Sequence, residues 1–163
     1  MIAGTGSGCG KTTVALAVLR AMQRRNIPLA AFKCGPDYID PMFHKAVLGI
    51  PSRNLDLFFI SEREVRGQIV RSIPQNGLGV IEGVMGFYDG VSGTTDTASA
   101  AHLARETGTP AILVVRPKGQ SLSLAAMLSG FRNFAENTLC GVILNGISDT
   151  MYPFYRDIVQ KSG

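Results

Sequence analysis

The sequence predicts an α/β fold of three layers, in which a mostly parallel central sheet carries helices on both faces. Short segments rich in Val, Ile, Leu and Ala alternate along the chain with segments of helical periodicity. Strands that are separated by helices are joined by right-handed crossovers, and such crossovers produce a parallel sheet. The 163 residues, 45% hydrophobic and 17% charged, suit one compact domain.

A glycine-rich loop follows the first predicted strand and leads directly into the first predicted helix. It reads GTGSGCGKTT from Gly4 to Thr13. Glycines let backbone N–H groups approach phosphates, Lys11 can reach the β- and γ-phosphates, and the Thr12 hydroxyl can hold Mg²⁺. The helix N-terminus adds a positive dipole. The loop therefore predicts a site for a nucleoside triphosphate and Mg²⁺, formed by Gly6, Ser7, Gly8, Cys9, Gly10, Lys11, Thr12 and Thr13.

The spacing of this loop is a variant of the usual phosphate loop. Thr5 stands where the strict pattern has its first glycine, and Gly4 precedes it. A dinucleotide-binding G-x-G-x-x-G does not fit, because its third glycine would fall at Cys9 or at Lys11. The fold is therefore predicted to be that of a P-loop nucleoside triphosphatase.

Periodicity and capping residues define the other elements. In the segment 61–72, Ser61 is the expected N-cap and Glu64 follows three residues later, as in a capping box. Thr95 or Asp96 is expected to cap a helix that begins at residue 96. The predicted strands are 1–3, 29–33, 78–82, 111–116 and 141–145, and the predicted helices are 11–25, 41–48, 61–72, 96–107, 121–136 and 151–161.

Several polar residues follow predicted strands, at the sheet edge where parallel sheets bind ligands. Glu82 ends an apolar strand opposite Thr12, where it can bind Mg²⁺ directly or through water. Asp37 and Asp40 lie in a segment stiffened by prolines, and they either serve Mg²⁺ and phosphate or form turns. Lys33 either neutralises charge on a transferring phosphate or extends to solvent. The predicted Mg²⁺ ligands are Thr12, Asp40 and Glu82.

Other candidates are less specific. The spacing around Asp89 suits a catalytic loop and a simple turn equally well. Asn145, after the last strand, either hydrogen-bonds a purine base or caps a turn. His44 and His102 lie in helical segments without a paired ligand, so they are interpreted as structural or surface residues. No Ser-His-Asp set and no Cys-His pair is evident.

Composition argues against several classes of protein. The basic residues behind the net charge of +4 are scattered and tryptophan is absent, so nucleic-acid binding is unsupported. A mildly positive net charge suits an anionic small-molecule ligand. No apolar stretch approaches the roughly 20 residues that span a bilayer, and no signal peptide is evident. Three cysteines without metal-ligand spacing indicate a reducing cytoplasm.

Five further segments of the chain are highly specific strings: KCGPDYIDPMFH, NLDLF, EGVMGFYDG, RPKGQSLSLAA and GVILNGIS. They resemble the cobyrinate a,c-diamide synthase family of cobalamin biosynthesis. The resemblance implies a dethiobiotin synthetase-like P-loop fold. It also implies that ATP phosphorylates a tetrapyrrole carboxylate and that ammonia from glutamine attacks the acyl phosphate. By the same resemblance, the catalytic site includes Asp37, Asp40, Glu82 and Asp89, and the corrin side includes Tyr38 and Ile39.

Enzymes of that family carry a C-terminal glutaminase domain with a nucleophilic cysteine and a histidine. Residues 1–163 show no such domain, so we interpret them as the ATP-binding amidoligase domain, with its glutaminase or other ammonia source outside this sequence. A synthase acting on hydrogenobyrinate or nickel-sirohydrochlorin would share these motifs. A dethiobiotin synthetase and a partitioning or metallochaperone ATPase are further alternatives, although many of the latter carry a lysine where this chain has Gly6. The oligomeric state stays open, a homodimer included.

Overall fold

The computed structural model describes residues 1–37 and 39–161, and these residues form a three-layer α/β fold. The strands are β1 (Ile2–Gly4), β2 (Leu29–Cys34), β3 (Ser52–Leu55), β4 (Leu78–Glu82), β5 (Ala111–Val115) and β6 (Leu139–Leu144). The helices are α1 (Lys11–Gln23), α2 (Ile39–Leu48), α3 (Glu62–Ser72), α4 (Ala100–Thr107), α5 (Leu122–Asn133) and α6 (Tyr152–Lys161). Most of these bounds lie within three residues of the predicted ones.

The strands form one sheet in the order β3-β2-β4-β1-β5-β6, and every observed pairing is parallel. Alternate residues of a strand point to opposite faces, so each buried strand contributes to two cores. Phe32 and Ile81 face a core shared with α3, α4, α5 and α6, while Ala31 and Val80 face α1 and α2. Both faces are thus covered, which confirms the predicted fold class.

Strand β3 was not predicted. Its sequence, SRNL, has three polar residues and only Leu55 is buried. The strand pairs on one side with β2 and lies at the edge of the sheet, so its backbone pairing needs no apolar alternation. The sheet consequently has six strands rather than the five predicted.

The predicted start of α4 is wrong. The helix begins at Ala100, and its N-cap is Ser99, whose hydroxyl accepts the N–H of His102 at 3.1 Å. Ala98 has a φ of 59°, a left-handed conformation that interrupts any helix running through it. Asp96 instead pairs with Arg105 in the last turn of the helix, at 3.0 Å.

The predicted capping box of α3 is confirmed. The Ser61 hydroxyl accepts the N–H of Glu64, and the Glu64 carboxylate accepts the N–H of Ser61 at 3.0 Å. In the part of the chain that the structure describes, no helix is both long and apolar enough to cross a membrane.

The capping box gives a stability prediction. Ser61→Ala should lower the free energy of unfolding by about 0.5–2 kcal/mol, because it leaves an N–H group of the first turn without its acceptor. Urea denaturation followed by circular dichroism measures the change. Ser72→Ala, at the last residue of the same helix, is the matched control and should be close to neutral; equal losses in both variants would contradict the capping role.

Candidate active site

The phosphate loop connects β1 to α1, and its glycines have distinct spatial requirements. A Cβ at Gly10 would lie 2.1 Å from Asn145 Nδ2, and Gly10 itself has a φ of 100°. A Cβ at Gly4 would lie 2.4 Å from the Cys9 sulfur, whereas Gly6 has open space around it. The loop is therefore tightly packed at its ends and open at its middle, where phosphates would approach.

Lys11 is buried and connects the phosphate loop to the loop that follows β4. Its Nζ donates to the Gly6 carbonyl at 2.9 Å and to the Met85 carbonyl at 2.6 Å. Burial lowers the pKa of Lys11. Both of these acceptors are neutral, so an anionic phosphate would be a stronger partner for the ammonium group.

A buried cluster of opposite charges lies where β2 and β4 end. Lys33 Nζ donates to Asp40 Oδ2 at 2.5 Å, to Glu82 Oε1 at 3.1 Å and to the Gly83 carbonyl at 3.1 Å. Thr12 Oγ1 donates to Glu82 Oε1 at 2.6 Å and lies 3.5 Å from Asp40 Oδ1. Four residues selected from the sequence are therefore joined in one cluster, in which Thr12 and Lys33 each contact both carboxylates. Lys33 is 3% exposed, so it does not extend to solvent.

Both members of the central ion pair keep their charges at neutral pH. Burial on its own would raise the pKa of Glu82. Hydrogen bonds from His44 and Thr12 outweigh that effect, and the Lys33 ammonium acts in the same direction, so the pKa falls to about 2. Burial likewise opposes the charge on Lys33, but Asp40 and Glu82 raise its pKa.

The low pKa of Glu82 makes part of the stability depend on pH. The folded state binds this proton less readily than the unfolded state, whose ordinary value is 4.5, so the stabilisation is complete above that value. It is lost as the pH falls from 4.5 towards about 2. Urea denaturation at a series of pH values should show the unfolding free energy of the wild type approaching that of Glu82→Gln, which cannot take up this proton. A difference that stays constant with pH would contradict the assignment.

Asp37 forms the local turn and lies beside Lys33. Its Oδ1 accepts the N–H groups of Ile39 at 2.8 Å and Asp40 at 3.3 Å, and its Oδ2 lies 3.7 Å from Lys33 Nζ. The turn is thus observed, and a role for Asp37 in binding Mg²⁺ or phosphate stays a prediction. Ile39 is 66% exposed at the start of α2, and Tyr38 lies outside the described residues.

Two candidates lie away from the ion pair. Asp89 is exposed, and its Oδ2 accepts the Gly86 N–H at 2.7 Å, which closes the loop after β4. Asn145 Nδ2 donates to the Cys9 carbonyl at 2.8 Å and so supports the phosphate loop from the end of β6. A contact between Asn145 and a purine base stays a prediction, as does a catalytic role for Asp89.

Sequence reasoning missed the role of His44 in this cluster. The side chain is buried, its Nε2 lies 3.1 Å from Glu82 Oε2, and its Nδ1 lies 2.9 Å from Ser52 Oγ. The available signal was the four-residue interval from Asp40 to His44, which places both on one face of a helix.

A second cluster, formed by Glu62, His102 and Glu106, is unsuited to a metal. Its potential ligand atoms lie within 4.8 Å of one another. His102 Nδ1, however, accepts the Ala98 N–H at 3.0 Å. A neutral imidazole then carries its proton on Nε2, so neither ring nitrogen has a free lone pair for a metal.

Together, the parallel sheet and the loop before α1 define a P-loop nucleotide-binding domain. The chain belongs to the CobQ/CobB/MinD/ParA nucleotide binding domain family, whose model matches residues 1–162.

The chain is also similar over almost its whole length to curated proteins named cobyrinate a,c-diamide synthase. It is 41% identical over 160 residues to the protein of Clostridium tetani, covering 98% of this chain and 36% of that protein. It is 45% identical to the protein of Clostridium acetobutylicum (99% and 36%) and 47% identical to that of Gloeobacter violaceus (100% and 36%). The chain thus spans little more than a third of the length of these relatives.

Proposed function

We propose that residues 1–163 form the ATP-binding amidoligase domain of a cobyrinate a,c-diamide synthase. In this proposal, the domain activates the a and c side-chain carboxylates of cobyrinate as acyl phosphates, and ammonia then displaces the phosphate. The observation that carries the proposal is the cluster beside the phosphate loop, in which the buried Lys33 and Glu82 contact the half-buried Asp40 and Thr12. The names of the curated relatives support the choice of substrate.

The residues of the cluster fit Mg²⁺. Mg²⁺ prefers oxygen ligands. The hydroxyl of Thr12 lies within hydrogen-bond distance of the carboxylates of Asp40 and Glu82, so three oxygen-bearing side chains meet there. Bound there, Mg²⁺ would supply neutralisation of phosphate charge. Lys11 and Lys33 add two ammonium groups to the same region, so the site suits the transfer of a phosphoryl group between anions.

The reaction balances in two steps. A carboxylate oxygen of the substrate attacks the γ-phosphorus, an O–P bond forms, the bond to the β-phosphate oxygen breaks, and ADP leaves. Ammonia then attacks the acyl carbon, a C–N bond forms, the C–O bond to phosphate breaks, and phosphate and a proton leave. The protein contributes positioning and charge neutralisation rather than a covalent intermediate. In this proposal, Tyr38 and Ile39 bind the corrin, and Asp37 and Asp89 orient the reacting groups; Ile39 is exposed.

The ammonia source in this proposal is a glutaminase outside residues 1–163. The length of the relatives beyond the matched part leaves room for such a domain. The free thiols of Cys9, Cys34 and Cys140 support a reducing compartment, the cytoplasm.

The nitrogen source and the substrate can be tested together. The purified chain with ATP, Mg²⁺ and cobyrinate should form amide with ammonium but not with glutamine, as followed by mass spectrometry of the corrin. Hydrogenobyrinate, nickel-sirohydrochlorin and diaminononanoate, offered in parallel, separate the related synthases and the dethiobiotin synthetase class. Amide formed from glutamine by this chain alone would contradict the external ammonia source. A rate of ATP hydrolysis that no tetrapyrrole changes would instead favour an ATPase stimulated by a protein or DNA partner.

A further inference from the structure

We propose that His44 is a positioning residue, which holds Glu82 so that one carboxylate oxygen faces the phosphate loop. Ser52 in turn fixes the imidazole ring. This inference rests on the proposed role of Glu82 at the metal and phosphate site.

The contacts divide the two oxygens of Glu82 between two tasks. Oε1 accepts from Thr12 at 2.6 Å and from Lys33 at 3.1 Å, on the side of the phosphate loop. Oε2 lies 3.1 Å from His44 Nε2, on the side of α2. A carboxylate whose two oxygens have partners on opposite sides cannot rotate without losing one of them. His44 therefore determines which way Oε1 points.

The hydrogen-bond pattern also defines which partner each ring nitrogen has. An ionised carboxylate only accepts, so the N–H group of His44 Nε2 donates a hydrogen bond to Glu82. Nδ1 lies 2.9 Å from the Ser52 hydroxyl oxygen, which can donate or accept. The ring is therefore held at both nitrogens, and its orientation follows from the strand β3 that holds Ser52.

Burial makes the donor from His44 necessary. Glu82 is 0% exposed and His44 is 1% exposed, so water does not replace a missing partner at Oε2. A buried charged oxygen without a donor is costly, and the side chain would turn to find another one. That movement would carry Oε1 away from Thr12. Residues that orient metal-site ligands in this way typically change affinity or activity by about 10- to 100-fold when replaced.

The Ser52–His44–Glu82 chain resembles a nucleophilic triad but works in the other direction. In a triad, the acid orients the imidazole and the serine reacts. Here the acid also contacts Thr12 and Lys33. Ser52 lies in the edge strand β3 and contacts Glu82 only through His44. The reacting end is therefore Glu82, and Ser52 is support.

Two substitutions separate positioning from packing. The amide nitrogen of His44→Gln can reach the place of Nε2, whereas that of His44→Asn matches Nδ1 and leaves Glu82 without its donor. We expect His44→Asn to weaken Mg²⁺ binding in the presence of ATP and to lower kcat for amide formation by about 10- to 100-fold, with little change in KM for ATP. His44→Gln should stay within about threefold of the wild type. Equal losses in the two variants, or no loss in His44→Asn, would overturn the inference.

A second comparison covers the case in which His44→Asn does not fold. Ser52→Ala frees the ring and should lower Mg²⁺ affinity in the wild-type background. In the His44→Gln background the same substitution should have no further effect, because glutamine does not use the Ser52 contact. A loss that is equal in both backgrounds would show that Ser52 acts independently of the ring and would overturn the inference.

Calorimetric titration of Mg²⁺ with ATP present needs no tetrapyrrole, so it keeps this inference separate from the proposed function. If no variant forms amide, the proposed function fails, and the difference between His44→Gln and His44→Asn in Mg²⁺ affinity still decides the role of His44.

Discussion

Glu82→Gln is expected to reduce ATP-dependent amide formation by about 100- to 1,000-fold, the range typical of removing one electrostatic contact at a transition state. Glutamine has the shape of glutamate, but its amide nitrogen cannot accept a hydrogen bond. Thr12 and Lys33 both donate to Oε1 of Glu82, so the substitution removes the charge and endangers both contacts. Initial rates with ammonium as the nitrogen source measure the loss.

The control for this substitution is Glu136→Gln, which makes the same chemical change at an exposed position. It should leave the rate unchanged. Thermal unfolding of both variants separates a loss of activity from a loss of structure. A Glu82→Gln enzyme that folds and keeps more than about a tenth of the wild-type rate would contradict the proposed role of the carboxylate.

Gly10→Ala is expected to abolish nucleotide binding and to destabilise the domain. The φ of 100° is unfavourable for any L side chain, at about 1–3 kcal/mol, and the added Cβ would lie 2.1 Å from the amide nitrogen of Asn145. Asn145 would have to move, and its hydrogen bond to the Cys9 carbonyl would break. Calorimetric ATP binding and thermal unfolding report the two effects.

Gly6→Ala is the matched control for stability, because a Cβ at Gly6 would meet no atom within 4 Å. It should unfold near the wild-type temperature. Adding Asn145→Ala to Gly10→Ala should recover part of the lost stability by removing the clash, while the strain in φ remains. A Gly10→Ala domain as stable as the Gly6→Ala domain would contradict this account of the loop.

Sequence reasoning placed Lys33 and Glu82 together because both lie at the carboxyl ends of strands. Lys33 is the penultimate residue of β2 and Glu82 the last residue of β4, and parallel strands bring such ends to one edge. The phosphate loop has a local sequence pattern, so it could be recognised without tertiary information. The same holds for the capping box at Ser61, which depends on two residues three positions apart.

The missed features depend on contacts between distant parts of the chain. Strand β3 is short and polar, and only its pairing with β2 identifies it. The start of α4 depends on the left-handed conformation of Ala98, which alanine seldom adopts and which no local pattern indicates. His44 acquires its significance from Glu82, 38 positions away. Local periodicity carries no information about any of these contacts.

The hydrogen bond from Lys11 to the Met85 carbonyl couples phosphate binding at the phosphate loop to the conformation of the loop after β4. Met85 has a left-handed φ of 42°, and the loop it belongs to also contains Asp89. A phosphate that binds the Lys11 ammonium competes with this carbonyl for it. The hydrogen bond that helps to hold Met85 in its strained conformation is then weakened. By thermodynamic reciprocity, a carboxylate substrate that reshapes the same loop must change the affinity for nucleotide by an equal factor. In the proposed reaction, the affinities for nucleotide and for the carboxylate substrate would therefore be coupled through Lys11.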